Sequence, residues 1–339
     1  MQLGVFLNRQ GAVEVAVEAE RLGYAMALVP EGFRSDAVSV LGAVAARTER
    51  IGLASGVMQI PGRPPVMAAL TAATLDQLSG GRFRLGLGVS NPDVSLGWYG
   101  VPFERPLERT REYVDVVRLA LTGEPVRYPG KHFRLPPEGT DEAAHLIAAA
   151  VRKDLPVLLA GVGKRSLELA GEIADGWIGV FAPPWRIAES LEHVKTGRER
   201  VGLGLDGFEV MPSISIGLGD DLETAAEPLR HYYANFLGLG SKEKSIYYAL
   251  AVRMGFEEQA AEVHRLRSEG DRAGAARAVP LEFIDQTALL GTPERIARRM
   301  AEYAAAGVTV LGLTLLAPTV DEQLATVRAA ARALELAGV

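Results

Sequence analysis

The sequence predicts an α/β chain wound into a closed (β/α)8 TIM barrel, and three observations carry that expectation. Eight short apolar runs rich in Val, Ile and Leu recur along the 339 residues: LGVFL, MALVP, RIGLAS, RFRLGLG, LPVLLA, GWIGVF, EVMPSISIG and VTVLGLTLL. Most are too continuous for half-exposed antiparallel strands and read as parallel strands covered by helices. Amphipathic helical patterns lie between them, and repetition of a right-handed βαβ unit curls a sheet onto itself. The runs are evenly distributed and the first and last are both strongly apolar, which favours closure over an open doubly wound sheet.

In the first helical pattern Glu14, Glu18 and Arg21 form a charged stripe, while Val15, Ala19 and Leu22 fall on an apolar one. Further helices are expected over Asp36 to Arg47, Pro65 to Leu78, Arg105 to Leu121, Lys164 to Ala174 and Asp321 to Leu336, with Pro or Asp near several starts and Gly after several ends. The stripe of Val66, Leu70 and Ala73 reads as core. Two connections are over-long, giving insertions after strands four and seven. The first runs from Val89 to Asp154, and the Pro and Gly of its EPVRYPGKHFRLPPEG mark an excursion. The second runs from Leu218 to Gly307, contains HYYANFLGLGSKEKSIYYALAVRMGF and reads as largely helical. Insertions of this kind sit over the active-site face, so residues 1–339 are read as a single domain with a helical insertion inside 218–307.

Composition narrows the function. With 36 Lys+Arg against 42 Asp+Glu, a net charge of -6, no global positive field favours nucleic acid or an anionic membrane, so any anion must be held locally. Cysteine is absent, which removes disulfides and thiolate chemistry. The five histidines show no ligand spacing, so no metal is expected. The N-terminus enters a strand at once and no apolar run approaches the roughly 20 residues of a membrane span. A cytoplasmic protein is expected.

Four strand ends carry the candidate chemistry. In LPVLLAGVGKRSLELAGEIADG, the strand ends at Ala160, Gly161-Val162-Gly163 makes the turn and Lys164 opens a helix. Glycine lets backbone approach a ligand, the first-turn amides point at the barrel mouth, and Lys164, Arg165 and the Ser166 hydroxyl add donors: a phosphate cradle. The alternative is a tight turn with solvated cations. In LASGVMQIPGRPP, Gly56 interrupts an apolar run as a bulge does, which turns Ser55, Val57 and Gln59 toward the mouth. GLGVSNPD places Ser90 and Asn91 at the fourth strand end; with Pro92 where a glycine is required, this is no nucleophile elbow. VPEGF places Glu31 on the same rim, as a proton-transfer group, a ligand contact or a salt-bridge partner. Trp98 and Tyr99 in GWYG read as a packed aromatic anchor.

The phrases TERIGLASGVMQIPGRPPVMAALTAATLDQLSGGRFRLGLGVSNP, GWYGVPFERPLERTREYVDVVR, LELAGEIADGW, GSKEKSIYYALAVRMGFEEQAAEV and LLGTPERIARRM, taken in order, resemble the bacterial luciferase-like superfamily. Within it they are most similar to the coenzyme F420-dependent oxidoreductases related to methylene-tetrahydromethanopterin reductase. The resemblance implies a barrel with its cofactor at the C-terminal mouth, as a homodimer. It implies a non-prolyl cis peptide at Gly56-Val57, beside Ser55, supporting the deazaflavin ring. Ser90 and Asn91 match the strand end lining the ring, and Ala160, Gly161, Val162, Gly163, Lys164 and Arg165 match the segment holding the phosphate-bearing tail. The sequence departs from the sugar-phosphate and secondary-alcohol dehydrogenases of that branch, whose histidine and glutamate are replaced by the Glu31-Gly32-Phe33 stretch and Asn91, so their substrates are not implied. The activity implied is hydride transfer between the deazaflavin C5 and a small organic substrate, with Glu31, Tyr247 or Tyr248 relaying the proton. The alternatives are an FMN-dependent luciferase-like monooxygenase, a non-catalytic flavin- or deazaflavin-binding protein, and a phosphate-binding barrel enzyme without redox chemistry.

Overall fold

The computed structural model describes residues 1–33, 35–148, 150–152, 154–243 and 245–339. Position 244 of the GSKEKSIYYAL stretch, and 149 and 153 of the first long connection, lie outside them. Among the described residues eight parallel strands close a ring: β1 Gln2–Phe6, β2 Met26–Val29, β3 Gly52–Ser55, β4 Phe83–Gly88, β5 Val157–Ala160, β6 Gly176–Val180, β7 Glu209–Leu218 and β8 Val310–Leu315. Each pairs with the next in parallel register, and β8 pairs with β1 over Gln2↔Val310 to Phe6↔Thr314, so the eight strands close on one another. The closed barrel is the architecture expected from the apolar runs.

Alternation along the strands explains why those runs are continuous. Phe6, Met26, Leu28, Ala54, Leu158, Ile178, Met211 and Val310 fill the barrel interior. Their neighbours, such as Val5, Ala27, Leu53, Val157 and Leu313, belong to the second layer under the helices. Both faces are dry, and burying a Val, Leu or Ile side chain stabilises by roughly 1.5–3 kcal/mol, so a polar residue on either face would forfeit that.

The outer ring consists of α1 Ala12–Arg21, α2 Ala37–Ala45, α3 Pro65–Leu78, α4 Pro106–Leu121, α5 Lys164–Ile173, α6 Pro184–Arg200, α7 Pro293–Ala305 and α8 Val320–Ala337. Their starts follow local signals: Asp36 caps α2 by accepting from the Ser39 amide, and Thr319 and Glu322 form a reciprocal box at α8. One expectation fails on α3. Ala73 is buried, but Val66 and Leu70 are each 37% exposed. The face against the sheet is made by Ala68, Ala72 and Leu75, whose small side chains let the helix lie close, and this turns the larger stripe outward.

Both insertions fall where expected. After β4, the EPVRYPGKHFRLPPEG excursion folds as a small antiparallel pair, Tyr128–Pro129 with Arg134–Leu135. After β7, helices Arg230–Leu237, Ile246–Arg253, Glu257–Ser268, Arg272–Ala278 and Leu281–Thr287 enclose their own apolar cluster, which includes Phe181 from the end of β6. A short strand, Ala288–Gly291, was not anticipated there; four residues in a helical context give no periodicity to read. It pairs with the upper half of β7, while the lower half of β7 pairs with β6. No described helix is long and apolar enough to cross a membrane.

Candidate functional site

The C-terminal ends of the strands converge on one mouth, where active sites of this architecture lie. On one side the β3–β4 ladder is interrupted. Ala54 pairs with Arg84, and pairing resumes at Met58 with Leu87, so β3 spends one residue more than β4 across the gap: a bulge. The peptide between Gly56 and Val57 is cis, as the family resemblance implied. Val57 packs against the top of the barrel-interior cluster. A Cβ at Gly88 would come within 2.6 Å of Val57 Cγ2, so a residue without a side chain is what lets Val57 ride over β4 as a shelf.

Ser55 corrects the sequence reading. It is buried, and its hydroxyl donates to the Gly86 carbonyl at 2.8 Å and accepts from the Gly86 amide at 2.9 Å. The hydroxyl thus stands in for ladder bonds lost at the bulge and does not face the mouth: Leu53 points under the helices and Ala54 into the barrel, so regular alternation turns Ser55 outward again, and it is Val57, beyond the bulge, that turns inward.

Glu31, at the end of β2, is likewise spent on structure. Its Oε2 lies 2.5 Å from the Arg63 guanidinium and 3.4 Å from the Ala37 amide, and Oε1 accepts from the Gln59 amide at 3.2 Å. The Gln59 side chain donates back to the Glu31 carbonyl at 2.9 Å and accepts from the Ser90 hydroxyl at 2.9 Å. The Glu31 and Arg63 side chains are 6% and 16% exposed, so the pair is largely desolvated and its loss uncompensated charge. Of the roles open to Glu31 from sequence, the geometry assigns salt-bridge partner. Ser90 has φ 66°, a left-handed value that a non-glycine residue adopts only when its surroundings hold it there. Asn91 caps the short helix Pro92–Gly97, its Oδ1 accepting from the Val94 amide at 3.0 Å. The packed anchor expected of Trp98 is not found: Trp98 is 64% exposed and meets Phe33 edge-on at 5.2 Å, whereas Tyr99 packs over Gly62.

Across the mouth, β5 ends at Ala160 and α5 begins at Lys164 after the Gly161-Val162-Gly163 turn. The Ser166 hydroxyl accepts from the Val162 and Gly163 amides at 3.2 and 3.1 Å and donates to the Gly163 carbonyl at 2.7 Å. The serine therefore braces the turn instead of offering its proton to a ligand. Among the described residues, the amides of Lys164 and Arg165 have no hydrogen-bond partner. The Trp177 indole fixes the turn from beneath by donating to the Gly161 carbonyl at 2.8 Å.

Sequence reasoning missed Arg186, in the first turn of α6, whose guanidinium lies 3.4 Å from the Val162 carbonyl. Burial, and then the neighbouring Arg253, hold its pKa below the usual arginine value. Lys164, Arg165 and Arg186 thus occupy the first turns of two neighbouring helices, neither of which has an acidic residue there. Cations at helix N-termini oppose the macrodipole and cost stability unless an anion lies between them. That misplacement was the available sequence signal.

The third side of the mouth is aromatic. Phe181, with φ 47°, stacks on Tyr232 at 5.7 Å and meets Phe236 and Tyr247 edge-on at 5.1 and 5.4 Å. Burial pushes the Tyr247 phenol up to about 12, so it is a neutral donor across the physiological range. Tyr248 instead packs outward against His264 and Lys242. The side chains of Ser213 and Thr314, on β7 and β8, share a 2.7 Å hydrogen bond.

Away from the mouth, Glu108, Glu112 and His132 bring donor atoms within 4.8 Å of one another, a grouping the sequence spacing did not show. Glu112 already accepts three backbone amides, of Lys131, His132 and Phe133, and Glu108 is paired with Lys131 and Arg105, so their charge is spent on the hairpin.

A protein of Mycobacterium tuberculosis provisionally named a coenzyme F420-dependent oxidoreductase is 35% identical over 329 residues, covering 93% of this chain and 95% of its own length. The 5,10-methylenetetrahydromethanopterin reductase of Archaeoglobus fulgidus is 29% identical over 276 residues, 80% of this chain and 79% of that one. The solved structure of the coenzyme F420-dependent tetrahydromethanopterin reductase from Methanopyrus kandleri superposes with a TM-score of 0.84 over 97% of both chains at 23% identity, which speaks to the fold. The family model for luciferase-like monooxygenases matches residues 7–310, so a barrel whose bulged third strand faces a basic turn across its mouth belongs, by sequence, to the luciferase-like monooxygenase family.

Proposed function

We propose that this chain is an oxidoreductase that holds coenzyme F420 across the mouth of its barrel and transfers a hydride between the deazaflavin C5 and a small organic substrate. The observation that carries the reading is the opposition of two features. The Val57 shelf over Gly88 offers a flat apolar support. Facing it, Lys164, Arg165 and Arg186 gather at two helix N-termini beside a glycine turn, where a Cβ on Gly163 would meet nothing closer than 4.0 Å. A planar ring with an anionic tail satisfies both. The names of the relatives from M. tuberculosis and A. fulgidus support the same assignment.

When bound, the coenzyme supplies two-electron hydride chemistry, and the protein supplies binding, orientation and exclusion of water. Gly56, Val57 and Ser90 shape the ring side, with Asn91 fixing the turn beyond Ser90 and Ser55 holding the bulge from beneath. Ala160, Gly161, Val162, Gly163, Lys164 and Arg165 shape the tail side. Glu31 acts as a positioning residue, holding Gln59 and through it Ser90. The neutral phenol of Tyr247 is the proton donor toward substrate, a reading supported by its contact with Phe181 at the end of β6 and by the burial that keeps it protonated. The whole of residues 1–339 acts as one domain, and the outward Val66, Met67, Leu70 and Leu78 of α3 supply an apolar face for a homodimer.

Fluorescence titration with F420 and with FMN tests the reading. Saturable F420 binding, with hydride transfer to an activated C=C, C=N or C=O acceptor, is the expected result. Preference for FMN with oxygen uptake would assign a monooxygenase. Tight binding without turnover across acceptors would assign a carrier.

A further inference from the structure

At the end of the barrel opposite the mouth lies an open crater of about 440 Å³ whose lining includes Arg50, Arg82, Arg84, Arg152, Gly52 and Glu209. Four guanidiniums around one concavity is unusual in a chain whose net charge is -6. The buried and half-buried negative groups nearby are already bonded, while Glu49 lies exposed in the adjoining loop. Asp76, fully buried, accepts from Arg152 Nη2 at 2.9 Å and Nε at 3.2 Å. Glu20 accepts the backbone amides of Glu49, Arg50 and Ile51 through one carboxylate oxygen.

The donors, by contrast, are not exhausted. Arg84 meets Glu209 through Nε alone, at 2.8 and 2.9 Å to the two carboxylate oxygens, and among the described residues its terminal Nη1 and Nη2 have no hydrogen-bond partner. Nη1 lies 3.0 Å from where a Cβ on Gly52 would stand, so the missing side chain at Gly52 is what opens room for it in the crater wall. Arg152 keeps Nη1 unspent, and the exposed Arg50 guanidinium has no partner among the described residues. Arg82 is held on carbonyls, at 2.6 Å to Ile51 and 2.8 Å to Thr48, with no carboxylate in contact. A guanidinium fork with free terminal amino groups matches phosphate and carboxylate geometry better than any other side chain does.

We propose that this crater is a second binding site, taking a small multivalent oxyanion such as a phosphorylated metabolite, with Arg84 as its inner contact and Arg50 and Arg152 on its rim. Its volume falls within the range of small-molecule sites, roughly 300–1,000 Å³, and it lies at the strands' N-terminal end, remote from the candidate coenzyme site.

Isothermal titration calorimetry with inorganic pyrophosphate at low ionic strength tests this. One saturable site is expected, weakened about tenfold or more in the double variant R84M/E209Q, chosen because Arg84 removed alone would leave Glu209 unpaired. The surface variant R50S, which puts no fold contact at risk, should weaken it about threefold. The titrations are made in the K164M/R165M background, because the mouth carries an anion cradle of its own that pyrophosphate would also occupy. In that background, absence of saturable heat at millimolar pyrophosphate, or an isotherm indifferent to both crater variants, would each overturn the proposal.

Discussion

Glu31 and Arg63 form a largely desolvated ion pair at 2.5 Å, and through Gln59 that pair is tied to the strained backbone of Ser90. Because the carboxylate acts by position, Glu31→Gln is expected to weaken F420 binding about tenfold while the turnover of bound coenzyme changes less than about twofold. Breaking a buried pair from one side costs about 3 kcal/mol, visible in urea denaturation, and E31Q/R63M should recover much of it. A collapse of kcat with an unchanged Kd would instead mark Glu31 as the proton relay.

Gly88→Ala places a methyl group within 2.6 Å of Val57 Cγ2. The Val57 side chain must then rotate off its shelf, and F420 affinity should fall about tenfold, a cost of about 1.4 kcal/mol. Combining it with Val57→Ala removes the clash, so the double variant should bind better than the sum of the singles predicts, and a double-mutant cycle by fluorescence titration measures that coupling.

For Arg186→Met, the readout is discrimination between ligands. A charge-assisted hydrogen bond contributes about 1.5–3 kcal/mol, so the variant should bind intact F420 at least about tenfold more weakly. A deazaflavin riboside lacking the phosphate and its acidic tail should bind as it does to the parent protein. Equal losses for both ligands would remove Arg186 from the tail subsite.

Tyr247→Phe deletes the neutral donor of the aromatic wall without changing its packing, and is expected to lower kcat about a hundredfold while coenzyme affinity is kept. The same phenol makes a prediction for stability. Its pKa, pushed up to about 12 in the folded state by burial, lies above the ordinary value of 10, so its contribution is intact below pH 10 and is lost as pH rises from 10 through 12. Thermal melts across that window should show a smaller alkaline decline in the Phe variant.

At the acid end, hydrogen bonds from Arg21 and then Arg328 hold Glu18 down to about 2 against an ordinary 4.5. A lowered carboxylate contributes stability that is present above pH 4.5 and lost as pH falls through about 2. Arg328 lies on α8 and Glu18 on α1, so Arg328→Met should flatten the loss of stability between pH 4.5 and 2 that acid titration of the parent protein shows.

The barrel was readable because its strands are dry on both faces, and that demand writes itself into eight consecutive apolar runs. The bulge was readable too, since Gly56 inside such a run has a local cause. What lay beyond reach was anything set by partners distant in the chain. Glu31 and Arg63 are 32 positions apart, and no local pattern joins them. Ser55 was given the direction of Val57, although one extra residue between them puts the two on opposite faces. The exposure of Trp98 depends on which loops surround it, which composition does not encode. Arg186, by contrast, did leave a trace, as a cation where the helix dipole disfavours one.

β7 runs for ten residues with β8 on one edge, while its other edge changes partner from β6 to Ala288–Gly291 partway up. The wall of the barrel therefore parts just past Val180, at Phe181, where the apolar cluster of the helical insertion begins. That seam lies away from the third and fourth strands, which carry the Val57 shelf, so the two features are separated by geometry. Under the proposed function, exchanging the insertion would re-key the chamber for a different acceptor while the half proposed to grip the coenzyme stayed as it is.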